Sequence, residues 1–173
     1  VWRAAFRVRE AKRMNLIMEP YSVNGGVRIF MYNPSQQNVL GAFSDLNNKT
    51  TRVLATGHIP GDILILEVRV PSFVRSPGSL TISQIGCDFA EQAWQKSILD
   101  DWYGLSGSCN VDIACQEQES FQQIKNAVVR IVFMGDERCT GTLLNNTRQD
   151  GRNYVLTAEH CINTEEEANK AVF

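Results

Sequence analysis

Along the first hundred residues, short apolar runs are separated by turn formers. Val27-Arg28-Ile29-Phe30-Met31-Tyr32 and Ile63-Leu64-Ile65-Leu66-Glu67-Val68-Arg69-Val70 are rich in branched and aromatic side chains. The first follows Asn24-Gly25-Gly26 and the second Pro60-Gly61-Asp62. Branched and aromatic residues suit a pleated, half-buried surface, so these runs predict strands. Residues 1–8 alternate imperfectly, with Arg3, Arg7 and Arg9 expected on one face, and further short strands are expected at 14–18, 38–43, 52–56 and 80–85. Strands this short, with turn signals between them, predict an antiparallel sandwich rather than β-α-β units.

The pattern changes near residue 88. Asp88-Phe89-Ala90-Glu91-Gln92-Ala93-Trp94-Gln95 opens with a capping residue and a first-turn acid, which fits a short helix. An acidic stretch, Asp100-Asp101-Trp102, then gives way to the small and polar run Gly104-Leu105-Ser106-Gly107-Ser108. A domain boundary is expected here, with 1–103 as one domain, a linker near 88–103, and 104–173 as the next. In the second part, 127–133, 139–144 and 154–157 read as strands, and Asp150-Gly151 marks a turn between the last two.

Composition narrows the class. Of 173 residues, 43% are hydrophobic and 21% charged, as in an ordinary folded domain. The formal net charge is −2, too small to argue for nucleic acid or a membrane surface as a partner. No apolar run reaches the roughly 20 residues that a membrane-spanning helix needs. Of the five cysteines, Cys87 stands alone while Cys109, Cys115, Cys139 and Cys161 crowd into the second part, which suggests an oxidising, extracytoplasmic compartment. A metal site is disfavoured. Cys109 and Cys115 are spaced too widely for a usual ligand pair, and adjacent His160 and Cys161 are not expected to face one tetrahedral ion.

The stretch with most chemistry is Leu156-Thr157-Ala158-Glu159-His160-Cys161, preceded by Cys139-Thr140-Gly141-Thr142-Leu143. A lone histidine is more often structural than catalytic, but its flanks alter the balance. Cys139 opens one expected strand and Cys161 follows the next, so the hairpin could bring both sulfurs within bridging distance. Such a staple would be worth ~3 kcal/mol in the chain-entropy account and would limit how far a general base can wander. Glu159, next to His160 on an expected strand, should point away from it into solvent. His58, between Gly57 and Ile59, reads as structural, Cys87 as a buried apolar-like thiol, and Glu165-Glu166-Glu167 as a solvated helix start. Asn48-Lys49-Thr50 and Asn145-Asn146-Thr147 fit the glycosylation pattern.

The motif T-A-x-H-C, about twenty residues after C-x-G-x-L, resembles the active-site histidine region of chymotrypsin-type serine peptidases. Gly104-Leu105-Ser106-Gly107-Ser108-Cys109-Asn110-Val111-Asp112 resembles the mature start of the bacterial lysyl endopeptidases among them. Cys139 to Asn146 and Asp150 to Thr157 resemble the same family, and residues 1–103 its pro-region, notably at Val1-Trp2-Arg3, Val39-Leu40-Gly41-Ala42-Phe43 and Pro60-Gly61-Asp62.

The resemblance implies an all-β protein: an antiparallel β-sandwich pro-domain followed by the N-terminal portion of a chymotrypsin-type β-barrel. It implies His160 as general base, a Cys139–Cys161 disulfide beside it, and Cys109 and Cys115 paired with partners further downstream. The triad's aspartate and serine, and the specificity pocket, are expected C-terminal to Phe173, so Ser106, Ser108 and Ser120 are not candidates for the nucleophile. The expected protein is the N-terminal part of a secreted serine endopeptidase precursor, inactive over these residues alone. It would act on protein or peptide substrates, hold its pro-domain against the peptidase domain in cis, and need no cofactor or metal. The competing reading is non-catalytic: a sandwich that inhibits, aids folding or binds, joined to an inert peptidase segment.

Overall fold

The computed structural model describes residues 1–89, 119–133 and 136–173. Their regular structure is nearly all antiparallel strand: β1 (Trp2–Arg7), β2 (Arg13–Val23), β3 (Arg28–Tyr32), β4 (Val39–Phe43), β5 (Leu54–Ala55), β6 (Ile59–Pro60), β7 (Ile63–Arg69), β8 (Gly78–Asp88), β9 (Val128–Phe133), β10 (Asp136–Leu144), β11 (Tyr154–Leu156) and β12 (Ala171–Val172). Two short α-helices, α1 (Glu119–Lys125) and α2 (Glu165–Lys170), and one 3-10 turn at Asp45–Asn47 complete it. The chain divides into two compact units, one drawn from Val1–Ala90, Val132–Asp136 and Thr164–Val172, the other from Glu91–Ile131, Glu137–Asn163 and Phe173.

In the first unit two sheets share one core. The first has the order β1-β7-β3-β4, and the second the order β5-β2-β6 with β8 also on β2. Alternation along β7 sends Leu64 and Leu66 inward, and β3 sends Ile29 and Met31. Met14, Leu16 and Met18 of β2 meet them, with Leu54 and Ile59 from the short strands. The sandwich expected from the strand pattern is therefore present. Most strands fall where the pattern puts them, but β8 is twice the length anticipated and continues through Asp88, which pairs with Arg13. Asp88, expected to cap a helix, is therefore the last residue of a strand, and residues 90–95 of the expected helix lie outside those described. Only Leu54–Ala55 of 52–56 is strand, and the pairs β6 and β12, two residues each, carry no period to read.

Several polar groups inside the sandwich are paired, while among the described residues Asn15 Oδ1, Thr51 Oγ1 and Gln84 Oε1 are buried without a hydrogen-bond partner. Thr56 Oγ1 accepts from the Leu16 amide at 2.9 Å and donates to the Leu16 carbonyl at 3.1 Å, locking the end of β5 to β2. Tyr21 donates to the Ser44 carbonyl at 2.8 Å, and burial pushes its phenol up to about 12. Asn48, in one of the two glycosylation-like tripeptides, spends its amide on the end of β2: Nδ2 donates to the Val23 carbonyl at 2.8 Å and Oδ1 accepts from its amide at 3.0 Å. A glycan on that nitrogen would compete with this pairing. Cys87 is half-buried against the core, where desolvation raises its thiol, in keeping with the apolar-like role read from the sequence.

The outer face of the first sheet departs from the rule that alternation puts charges in water. Glu67 lies on that face, yet its side chain is only 2% exposed. Arg3 Nε donates to its Oε2 at 2.5 Å, Arg69 Nε to its Oε1 at 2.5 Å, and the Tyr32 hydroxyl to Oε2 at 2.8 Å. Arg3, expected on one face with Arg7 and Arg9, is thus a lid on a carboxylate, and Arg7 pairs with Asp62 at 3.1 Å.

In the second unit β10 pairs with β11 through Thr142↔Leu156, Leu143↔Val155 and Leu144↔Tyr154. The hairpin is antiparallel throughout, and Gly141 lies beneath Val155 within it. In the first unit, to which Thr164–Val172 belong, the acidic run expected to start a helix does so: Thr164 caps α2, its Oγ1 accepting from the Glu167 amide at 3.1 Å. Lys170, at the end of that helix, is buried and donates to Glu166 at 2.7 Å.

The Glu67 network makes stability pH-dependent. Hydrogen bonds from Arg3, then Arg69 and Tyr32, hold the Glu67 carboxyl down at about 2, against an ordinary value of 4.5. A depressed carboxyl stabilises the fold fully above its unfolded value and loses that contribution as pH falls towards the folded one. Urea-unfolding midpoints of the wild type should therefore drop between pH 4.5 and about 2. Glu67→Gln should remove part of that slope while lowering the midpoint at pH 7.

Candidate active site

Thr157 is the hinge of the site. β11 stops at Leu156, and Thr157 Oγ1 donates to the Thr140 carbonyl at 3.0 Å, tying the chain back to β10 as it leaves the sheet. The chain then reverses. The Cys161 amide donates to the Ala158 carbonyl at 3.0 Å, closing a turn in which Glu159 and His160 are the central residues. His160 therefore does not close a strand, as the sequence pattern suggested, but stands at the tip of a turn. Glu159 is exposed as expected, though for a different reason: strand alternation no longer applies once the backbone has left the sheet.

Cys161 is buried and Cys139 lies within β10; their sulfurs are joined, with Cα atoms 6.0 Å apart. The bond crosses from the turn to the neighbouring strand, so the residue beside His160 is fastened covalently to the sheet. One ligand-type atom from each of Cys139, His160 and Cys161 lies within 4.8 Å of the others. Sequence adjacency therefore did not keep His160 and Cys161 apart, because successive residues of a turn can project to the same side. With both sulfurs in a disulfide, the trio offers no thiolates to a metal. The imidazole is exposed, and among the described residues no side chain hydrogen-bonds to it.

Gly141 is a positioning residue that the pattern alone did not single out. A Cβ there would lie 2.8 Å from Val155 Cγ1 and 3.0 Å from the Leu156 carbonyl oxygen, closer than real side chains approach. Only glycine lets β11, and with it the approach to His160, sit this close to β10. The signal was in the sequence as the glycine of Cys139-Thr140-Gly141, but its meaning depends on which strand packs over it. Of the other residues considered, Ser120 is exposed on α1, remote in sequence from the turn, and Cys109, Cys115, Ser106 and Ser108 lie outside the described residues.

Residues 103–173, which contain the stapled turn, match the family model for the C-terminal domain of lysyl endopeptidase. The chain is lysyl endopeptidase-like. A lysyl endopeptidase of Pseudomonas aeruginosa is 36% identical over 112 residues, covering 60% of this chain and 24% of that relative. The chain thus spans about a quarter of the length of the curated relative it matches. The aligned 112 residues exceed the 103–173 segment, so the likeness reaches into the part of the chain that precedes it. No solved structure matches the chain. The stapled turn with His160 lies inside the stretch that is similar to the lysyl endopeptidase domain.

Two measurements check this local structure. Non-reducing peptide mapping should recover Cys139 linked to Cys161, and Cys139→Ala/Cys161→Ala should cost ~3 kcal/mol of unfolding free energy by the chain-entropy relation. Gly141→Ala should also destabilise the protein, by about 1–3 kcal/mol, since the added methyl overpacks the β10–β11 contact. In hydrogen exchange, the loss of protection should centre on residues 154–161.

Proposed function

We propose that this chain is the N-terminal part of a secreted serine endopeptidase precursor, with His160 as the general base of a Ser-His-Asp triad. The observation that carries the reading is the exposed imidazole on a disulfide-fastened turn, inside the segment that matches the lysyl endopeptidase family model. A base in acyl transfer must take the proton of a serine hydroxyl as that oxygen attacks the scissile carbonyl, then return it to the leaving amine. Both transfers need the ring within hydrogen-bond reach of groups supplied from elsewhere, so the ring must be accessible while its backbone stays put. The turn supplies the first condition and the staple the second.

In this reading the serine and the aspartate come from the precursor beyond these residues, and the aspartate orients the imidazole through its other nitrogen. Cys109 and Cys115 pair with cysteines of that further part. Residues 1–103 form the pro-domain, which folds around its own core and acts on the peptidase domain in cis. Substrates are proteins or peptides, and the compartment is extracytoplasmic, where the disulfide persists.

In the full-length precursor, His160→Ala should lower hydrolysis of a lysyl amide substrate by about 10⁴-fold or more, with the disulfide and fold retained. The 173-residue chain by itself should not react with a fluorophosphonate probe. Undiminished activity of the variant, or labelling of a serine within these residues, would overturn the assignment.

A further inference from the structure

A second candidate site lies on the outer face of the sandwich and owes nothing to the histidine turn. The register of the first sheet sets Arg3, Glu67 and Phe30 side by side on three strands, with Arg69 next along β7 and Tyr32 next along β3. Alternation points all five away from the core. A concavity of about 250 Å³ opens among them, with Gln36 on its rim.

The chemistry of its floor is unequal. One carboxylate, Glu67, is held by two guanidiniums and a phenol, so the cluster retains one net positive charge. A single arginine would neutralise the carboxylate; the second leaves the cluster able to attract an anion. Both arginines meet Glu67 through Nε, the inner end of the guanidinium, and remain 63% and 58% exposed. A guanidinium carries further N–H donors on its Nη atoms, in a planar fork that matches a carboxylate. Arg69 is also fixed from the side, its guanidinium carbon 4.7 Å from the centroid of the Phe30 ring. Gln36, held in the left-handed region at φ 57 by the turn its amide closes onto the Asn33 carbonyl, brings an amide to the same opening.

We propose that this concavity binds a carboxylate carried on a flat apolar group. The ligand's carboxylate bridges the outward edges of Arg3 and Arg69, its apolar body lies along Phe30, and Gln36 is placed to meet a neighbouring polar atom. Glu67 does not touch the ligand; it sets the spacing of the two arginines before the ligand arrives, which removes an ordering cost from binding. The net single positive charge suits a monoanion. The carboxylate can come from a free aromatic acid or from the C-terminus of a peptide ending in an aromatic residue.

The test is an NMR titration of the 173-residue chain with benzoate, and in parallel with N-acetyl-Gly-Phe and its C-terminal amide, following the Arg3 and Arg69 Nε–Hε signals and the Phe30 ring. Saturable shifts of those signals are expected with benzoate, with the peptide acid or with both, but not with the amide. Tighter binding of the peptide acid would assign the site to peptide termini; tighter binding of benzoate would assign it to free acids. Arg3→Gln and Arg69→Gln, at exposed side chains, should each weaken binding by about ten-fold through loss of a charged hydrogen bond. Glu67→Gln removes the carboxylate that spaces the two arginines and should weaken binding several-fold, although Glu67 itself does not touch the ligand. Absence of saturable shifts with both acids, equal shifts with the amide, or binding that survives both arginine substitutions would overturn the proposal. If Glu67→Gln does not fold, the two arginine variants decide alone.

Discussion

The bond between Cys139 and Cys161 is the constraint on which the candidate active site depends. β11 is only three residues long, too short to fix the direction of the chain that leaves it, and His160 stands four residues beyond its end. An exposed imidazole on an unsupported turn would sample many positions. The disulfide and the Thr157–Thr140 hydrogen bond fasten the two sides of that turn to β10, one covalently and one by a neutral hydrogen bond. Gly141 completes the arrangement from the other side, because its missing side chain is the space in which β11 packs. These contacts make exposure and positional order compatible at one residue.

The sandwich is governed by a different balance. Its core is a conventional apolar layer between two sheets, but its outer face carries a carboxylate that is nearly as buried as the core residues. Burying a charge is tolerable only when each oxygen is satisfied, and here Oε2 accepts from Arg3 and Tyr32 while Oε1 accepts from Arg69. The long arginine stems cover the carboxylate while their heads stay in water. The same arrangement that satisfies Glu67 concentrates positive charge at the surface. A structural network and a charged concavity are therefore two views of one set of side chains.

Much of this was legible in the sequence. The short apolar runs placed β1, β3, β4, β7 and β9 to within a residue or two, since a run of branched and aromatic residues between turn formers is a local property of each strand. Less legible were β6, β8's full length and β12, whose extent depends on what pairs alongside: β8 continues to Asp88 because β2 offers a partner as far as Arg13. The conformation around His160 was misread for the same reason. A turn closed by a Cys161–Ala158 hydrogen bond has no period, so the strand pattern ran one element too far.

By itself the sequence determined the all-β class, because residue type and short apolar runs are enough to specify it. Tertiary structure alone decided that Glu67 is buried on an outer face, that Gly141 is where a neighbouring strand must pass, and that His160 projects from a turn. Each of these depends on which distant segment lies across the residue. Arg3 and Glu67 are 64 positions apart, and no local pattern connects a side chain to a partner at that range.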